Sequence, residues 1–194
     1  MSLNELEILK LFKQTEALLE GHFLLTSGRH SNQYFQCAKV LQYTDLNTKI
    51  CEKIVENFKY SEIDTVIAPA LGGIIVGQEV ARQLSKKFIF AEREQTALTL
   101  RRGFSLAENE RVLVCEDVVT TGGSVFEVIE IVKSFAAKVV GVGYIVDRSN
   151  GKVNFGYPQF SALKVNAVSF LPEECELCKQ GLPSVKPGSR KTTK

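Results

Sequence analysis

Residues 112–124, VLVCEDVVTTGGS, have the types and the spacing that binding a sugar phosphate would need. An apolar run ends in two adjacent carboxylates, Glu116 and Asp117, and a series of hydroxyls and glycines follows. Glycines let backbone N–H groups approach a phosphate, hydroxyls add donors, and the start of a helix adds partial positive charge. Two acids beside such a cradle repel a phosphate unless they face hydroxyl groups or a cation. The segment therefore predicts a sugar-phosphate site, with ribose hydroxyls on the acids.

A Gly-rich turn between a strand and a helix is common in α/β proteins, so a bare TGG is weak support for any site. The ordered series of strand, acid pair, hydroxyl pair and helix is much more specific. The chain contains neither a GxxxxGK[ST] loop nor a GxGxxG dinucleotide turn. The segment is therefore predicted to be a phosphate cradle of another kind.

The elements that must position this segment alternate between strands and helices. Short β-branched or apolar runs predict strands at 64–68, 87–91, 111–115 and 139–146. Helical spacing predicts helices at 3–20, 74–84 and 122–135, with Gly21 well placed to end the first. Thr44 or Asp45 is a candidate N-cap for a further helix that runs to about Phe58. Such alternation indicates an α/β fold with a mainly parallel sheet.

Two segments interrupt the alternation. Residues 92–110 contain three arginines and have no strong helical or strand period, which predicts a functional or mobile loop. Residues 155–181 predict a small appendage that ends in a Cys-x-x-Cys sequence. That pair, Cys175 and Cys178, is half of a zinc site, but metal binding is the less favoured interpretation because the chain has only two histidines. His30 is interpreted as a polar surface residue.

Composition excludes several classes of protein. A chain of 194 residues with 44% hydrophobic and 24% charged residues is ordinary for a globular protein. Its 24 basic and 22 acidic residues leave a net charge of +2, which argues against a dedicated nucleic-acid binder. The longest uncharged apolar run, at 66–77, is well short of the roughly 18 residues that a membrane span needs. Five cysteines, an odd number, predict a reducing, cytoplasmic setting.

Residues 112–124 resemble the phosphoribosyl pyrophosphate (PRPP) signature of the type I phosphoribosyltransferases. Residues 21–40, GHFLLTSGRHSNQYFQCAKV, are similar to the start of orotate phosphoribosyltransferases, where an F-x-L-x-S-G-x-x-S segment precedes an aromatic pair. The resemblance implies one domain over 1–185, with a central mainly parallel sheet flanked by helices. It also implies a small hood from 1–43 and 152–185, which leaves 186–194 as a basic, flexible tail.

The resemblance also implies roles for particular residues. It places PRPP on the residues after the strand and on the loop at 70–73: Glu116, Asp117, Val118, Val119, Thr120, Thr121, Gly122, Gly123, Ser124, Leu71 and Gly72. Thr120 would also touch orotate, and Arg148 would pair with the orotate carboxylate, since a planar guanidinium fits a carboxylate bidentately. Tyr34 and Phe35 would lie against the pyrimidine. Arg148 could instead be an exposed strand-end cation, and the two aromatics could be plain core residues.

The mobile loop departs from the pattern of the familiar enterobacterial-type enzymes. Those enzymes carry lysines and a histidine in the loop, and lysines at the positions of Thr26 and Gly72, whereas this loop has neither Lys nor His. The predicted catalytic residues are therefore Arg93, Arg101 and Arg102, together with Asp117. Arginine stays protonated, so such a loop would stabilise the departing pyrophosphate electrostatically rather than act as a general acid. Arginine pairs are also common as solvated surface charge.

The implied reaction is displacement at ribose C1 by a pyrimidine nitrogen, which gives orotidine 5′-monophosphate and pyrophosphate. Mg²⁺ is implied because it neutralises a diphosphate while needing few protein ligands, and none is predicted here. In this family the loop reaches the neighbouring subunit's site, which implies a homodimer. The expected partners are PRPP and orotate, without nucleic acid or membrane. Two alternatives stay open: the same chemistry on a purine or another base, and a regulator of the same fold that binds nucleotides without catalysis.

Overall fold

The computed structural model describes residues 3–25, 28–166 and 168–186. The helices are α1 Glu5–Gln14, α2 Ala38–Leu41, α3 Thr44–Phe58, α4 Gly72–Leu84, α5 Gly123–Ser134 and α6 Glu176–Lys179, with a 3₁₀ helix at Pro172–Glu174. The strands are β1 Leu18–Leu24, β2 His30–Phe35, β3 Thr65–Pro69, β4 Lys87–Glu94, β5 Ala97–Leu100, β6 Arg111–Val119, β7 Lys138–Asp147, β8 Gln159–Lys164 and β9 Ser169–Phe170. Within the described ranges, every helix is too short or too polar to cross a lipid bilayer.

Six strands form the main sheet in the order β5-β4-β3-β6-β7-β8. All neighbours in it run parallel except β5, which is antiparallel to β4. One hydrophobic core packs α1, α3 and α4 against one face, through residues such as Phe12, Ile54 and Val80. A second core packs α5 against the other face through Val128 and Ile129. The predicted α/β fold with a mainly parallel sheet is confirmed, and its strands read as apolar runs because both faces are covered.

Three further strands form a small sheet, in the order β1-β2-β9, that joins the two ends of the chain. The prediction of one helix over 3–20 is wrong at its C-terminal end. Asn4 and Glu7 form a capping box at the start of α1, and the helix ends at Gln14, where Thr15 Oγ1 bonds back to a carbonyl. Leu18 and the residues after it pair with β2 instead, so long-range pairing overrides the helical spacing.

The segment at 92–110 is more ordered than the predicted loop. Its first residues complete β4, which turns at 95–96 into β5 as a β-hairpin. The apolar side chains of Leu98 and Leu106 are buried in the second core, and their burial stabilises the folded segment. An irregular stretch, 101–110, remains between β5 and β6.

The C-terminal segment divides between the two sheets. β8 lies inside the range predicted for the hood, yet it pairs with β7 at the edge of the main sheet, while β9 pairs with β2 in the small one. The limits of the hood at 1–43 and 152–185 stay a prediction. So does the flexible tail, since 187–194 and the Thr26–Ser27 pair lie outside the described residues.

Candidate active site

Three strand ends meet at the carboxyl edge of the main sheet. β3, β6 and β7 are parallel neighbours, so the residues that follow them lie side by side. These residues are the 70–73 loop after β3, the acid pair and cradle in and after β6, and Arg148 directly after β7. Ligands of open α/β sheets bind at this edge. The topology thus brings the predicted PRPP and orotate residues of the main sheet together.

The acid pair lies inside β6, which extends four residues beyond the strand predicted from the sequence. Glu116 is 8% exposed, and burial together with the charge of Asp117 raises its pKa well above the usual range. Burial also raises the pKa of Asp117. The backbone N–H of Asp117 donates to Glu116, and that of Val118 donates to Asp117. The protein therefore holds two closely placed acids where ionisation is costly unless a ligand stabilises it.

The cradle follows as a tight turn into α5. Gly122 adopts φ +77° as the residue before the helix, and a Cβ there would overlap the buried ring of Phe155, so only glycine fits. Thr120 and Thr121, which precede it, are exposed. A cavity of about 250 Å³ is lined by these residues, Glu116 and Glu127. The site therefore combines a helix N-terminus, hydroxyl donors and a backbone turn, which suits a phosphate.

Gly72 opens α4 directly beside the acid pair. A Cβ placed on it would overlap the carboxylate of Asp117, and one on Gly73 would press on Glu116. The preceding Leu71 is 84% exposed, although it is a large apolar side chain. The missing side chain at Gly72 thus brings the backbone of the 70–73 loop against the acids, as the predicted pyrophosphate loop requires.

Arg148 faces the aromatic pair of β2. Its guanidinium carbon lies 5.4 Å from the centroid of the Phe35 ring, and burial lowers its pKa. Its buried Nε has no hydrogen-bond partner among the described residues. The alternative of an exposed strand-end cation is wrong, because the side chain is enclosed. Phe35 itself is 6% exposed and also packs on Phe12, so it belongs to the core as well as to this contact.

The three loop arginines lie on the β4–β5 hairpin and just after it, and acids hold two of them firmly. Arg93 forms a bidentate pair with Glu127 at 2.9 and 3.0 Å, at the rim of the cradle. Arg102 forms a bidentate pair with Glu92 at 2.7 and 2.8 Å. Arg101 lies 3.9 Å from its nearest acid, Glu94, and is half exposed. Of the three cations, Arg101 is the most readily available to a bound anion.

A larger cavity, of about 500 Å³, lies along β7 and β8 and contains none of the predicted site residues. Its lining includes Asp147, which accepts hydrogen bonds from Ser149. The smaller cavity is the better candidate, because Glu116 of the acid pair and the N-terminus of α5 both line it.

Relatives of this chain match it over nearly its full length. Residues 39–169 match the family described as "Phosphoribosyl transferase domain". The orotate phosphoribosyltransferase of Chlorobaculum parvum is 60% identical over 184 residues, which are 95% of this chain and 95% of that protein. The chain belongs to the orotate phosphoribosyltransferase family. Another member, from Chlorobium phaeobacteroides, is 56% identical over 188 residues, or 97% of each chain.

Solved structures of phosphoribosyltransferases have the same fold. An orotate phosphoribosyltransferase from Aeropyrum pernix matches with a TM-score of 0.70 at 26% identity, over 80% of this chain and 92% of that one. An adenine phosphoribosyltransferase from Thermoanaerobacter pseudethanolicus matches with a TM-score of 0.66 at 18% identity, over 80% and 99%. The predicted type I phosphoribosyltransferase fold is confirmed. The fold alone does not select the base, since enzymes named for a purine share it.

Glu127 is the site residue of this phosphoribosyltransferase that sequence reasoning missed. It lies one turn into α5, lines the cradle, and ties Arg93 and the backbone N–H of Leu98 to that helix. A signal was available, because a glutamate in the first turns of a helix behind a Gly-Gly pair projects toward the same end as the phosphate cradle. Its pairing with Arg93 on the hairpin could not be predicted from sequence spacing.

Proposed function

We propose that this protein transfers the phosphoribosyl group of PRPP to orotate, giving orotidine 5′-monophosphate and pyrophosphate in pyrimidine (UMP) biosynthesis. The observation that carries the proposal is the adjacency of three loops at one sheet edge. The glycines of the 70–73 loop let a diphosphate approach the backbone, and the acid pair with its phosphate cradle suits the ribose phosphate. The half-buried guanidinium of Arg148 suits a carboxylate. The near full-length identity to proteins named orotate phosphoribosyltransferase supports it.

PRPP would lie across the ends of β3 and β6. Its 5′-phosphate would accept hydrogen bonds in the turn 120–124, where the helix N-terminus adds partial positive charge. Its ribose hydroxyls would donate to Glu116 and Asp117, and its diphosphate would reach the backbone beside Gly72. Donating hydroxyls stabilise ionised carboxylates, so the ligand would offset the cost of burying the acid pair.

Orotate would lie between Thr120 and the small sheet. Its carboxylate would pair with Arg148, whose buried Nε otherwise lacks a partner among the described residues. Tyr34 and Phe35 are adjacent in β2, and the ring of Phe35 already lies 5.4 Å from the guanidinium carbon. A purine has no such carboxylate, and Arg148 would then be buried against an uncharged base at a cost. This is the observation that favours orotate over a purine.

The chemical step would be displacement of pyrophosphate from ribose C1 by a ring nitrogen. Arg101, together with Arg93 and Arg102, would stabilise the charge that develops on the departing pyrophosphate, in competition with their present acid partners. Mg²⁺ carried by the diphosphate would neutralise part of the same charge. The carboxylate oxygens of Glu116 and Asp117 are the donor type that this cation prefers, so the residues present fit it. We place the cation on the substrate rather than in a protein cage.

Steady-state assays with orotate, adenine, hypoxanthine and xanthine, each with PRPP, test this function. We expect turnover of orotate alone, measured as pyrophosphate release. Turnover of a purine would move the protein to the alternative substrate class. Binding of PRPP with no pyrophosphate released from any base would support the regulator instead.

Arg148 provides the sharper test of base selection. Arg148→Lys keeps a cation but loses the planar fork, so we expect the KM for orotate to rise about 10-fold while the KM for PRPP stays within about twofold. The matched control is Lys59→Ala, which removes an exposed cation whose Nζ lies 4.9 Å from the centroid of the Tyr60 ring. Equal losses for both substrates would contradict the assignment of Arg148 to the orotate carboxylate.

We also propose a cytoplasmic homodimer. All five cysteines lie among the described residues and none is in a disulfide, as expected where thiols are kept reduced. The loop arginines lie on an exposed hairpin that could reach a neighbouring subunit. Analytical ultracentrifugation at micromolar concentration, with and without PRPP, tests the dimer. A monomer under both conditions would contradict it.

A further inference from the structure

Four metal-ligating side chains converge away from the active site, on the small sheet. His22 lies in β1, His30 lies in β2, and Cys175 and Cys178 flank the start of α6. One ligand atom from each falls within 4.8 Å of all the others. The prediction that His30 is a polar surface residue is wrong, since it is 7% exposed, as is His22. The Cys-x-x-Cys sequence thus meets both histidines of the chain.

Ring nitrogens of the two histidines and the sulfur atoms of the two cysteines lie close together in this cluster. His30 Nδ1 lies 2.7 Å from His22 Nε2 and 3.1 Å from Cys178 Sγ. His22 Nε2 lies 3.5 Å from Cys175 Sγ and 3.6 Å from Cys178 Sγ. Tetrahedral zinc, with Zn–N near ~2.0 Å and Zn–S near ~2.3 Å, separates its ligand atoms by roughly 3.3–3.8 Å. The two distances from His22 Nε2 to sulfur fall in that range, whereas the two from His30 Nδ1 are shorter, so His30 would move outward to admit the ion.

The hydrogen bond on the far side of His22 fixes which nitrogen faces the cluster. His22 Nδ1 lies 2.8 Å from the carbonyl oxygen of Leu182. A carbonyl can only accept, so Nδ1 carries the proton and Nε2 presents a lone pair to the two sulfurs and His30. Metal-bound histidines commonly donate their second ring N–H to a backbone carbonyl in this way. The outer contact therefore prepares His22 as a ligand.

We propose that His22, His30, Cys175 and Cys178 bind one structural Zn²⁺ ion. Two imidazoles and two thiolates form a neutral complex with a divalent cation, and this donor set is one that zinc favours. A closed set of four protein ligands leaves no position for a substrate, so the ion holds structure rather than acting in the reaction. This site is independent of the proposed transfer to orotate.

The ion would connect segments from opposite ends of the chain. Cys175 and His22 are 153 residues apart in sequence, and near them the backbone of Val185 already bonds to His22 and Leu24. β2 runs on from His30 to Phe35, which contacts Arg148. Zinc would therefore fix the hairpin that carries the aromatic pair to the C-terminal segment, and its binding energy would become folding energy of the small sheet.

Metal content of the full-length protein tests the proposal directly. We expect about one zinc ion per chain by plasma mass spectrometry after expression with added zinc and exhaustive dialysis. Cys178→Ser and His30→Gln should each lower that content at least about 10-fold. Cys51→Ala, which removes a buried thiol outside the cluster, should retain the ion. Expression with cobalt should give the visible absorption of tetrahedral thiolate-bound Co²⁺ in the parent chain and not in Cys178→Ser.

Two further measurements keep the proposal falsifiable if the variants fail to fold. Removal of zinc from the parent chain with a strong chelator should lower the melting temperature, and added Zn²⁺ should restore it. Fewer than about 0.1 zinc ions per chain in protein made with added zinc would overturn the proposal. So would a Cys175–Cys178 disulfide found by mass spectrometry in the freshly isolated protein. Neither result would bear on orotate turnover, so the two proposals fail separately.

Discussion

The carboxyl edge of the main sheet and the small sheet are built in opposite ways. At the main sheet, residues that follow consecutive parallel strands become neighbours automatically, so one contiguous segment, 116–124, supplies most of a site. In the small sheet, β1 and β2 meet β9 and the Cys-x-x-Cys segment from the other end of the chain. The first site therefore depends on local sequence and backbone. The second depends on contacts between segments from opposite ends of the chain.

The largest effect should come from the local site. Asp117→Asn keeps the shape but removes the charge that accepts a ribose hydroxyl, so we expect kcat/KM for PRPP to fall about 100-fold. Steady-state kinetics with varied PRPP measure this. Asp45→Asn, an exposed acid on α3, is the control. Unchanged kinetics would mean that the acid pair serves the fold rather than the ligand. Segment 116–124 would then not be the ligand site proposed here.

The hairpin arginines should matter for the rate more than for affinity. Arg101 has the loosest acid partner, so Arg101→Ala should lower kcat about 10-fold with a smaller change in the KM for PRPP. Arg102→Ala should also lower kcat, and it removes the bidentate pair with Glu92 that holds the hairpin. Single-turnover rates separate chemistry from product release. If neither variant changes kcat, the charge on pyrophosphate is stabilised by other groups.

The buried acids should cost stability when no ligand is bound. Burial raises the folded-state pKa of Glu116, so the stability contributed by its protonated form is lost as pH rises through that raised value. Glu116→Gln removes the titration, and we expect the ligand-free variant to gain on the order of 1 kcal/mol at pH 8 and less at pH 5. Urea denaturation at both pH values measures the gain. A gain that shrinks as pH rises would contradict the buried-acid account.

The smallest effect should come from Arg29, which makes two hydrogen bonds to Ser169 of the small sheet. Arg29 donates from Nη2 to the carbonyl of Ser169 at 2.6 Å and from Nε to its hydroxyl at 2.9 Å. We expect Arg29→Ala to cost about 1 kcal/mol of unfolding free energy and to leave the KM for PRPP unchanged. Ser169→Ala, which keeps the carbonyl, should cost less. A larger effect on PRPP than on stability would show that the two regions are coupled.

The elements of the main sheet were predictable because their signals are local. Apolar runs gave β3 and β7 within two residues of their observed ends. The expected end of α3 at about Phe58 is confirmed, but its N-cap is Tyr43 rather than Thr44 or Asp45. The acid pair and cradle were found from order along the chain alone. The end of β6 was missed because strand and acid pair overlap: Glu116 and Asp117 belong to the strand and are buried.

The small sheet was not predictable in the same way. Leu18 and Leu19 fit a helix by spacing, and only pairing with Phe35 and Tyr34 makes them a strand. His22 and His30 have no metal-ligand spacing, and their relation to Cys175 exists only after both ends of the chain have met. The β4–β5 hairpin could not be predicted either, because it depends on the burial of Leu98 in the second core.

The close approach of Gly72 to Asp117 constrains how this sequence can change. A side chain at position 72 would overlap the carboxylate, so a larger residue there is tolerated only if the acid, or the backbone that carries it, moves as well. The two positions therefore form an epistatic pair, although they lie far apart in the sequence. A lysine introduced at position 72 would therefore have to displace the Asp117 carboxylate from its present place beside the 70–73 loop.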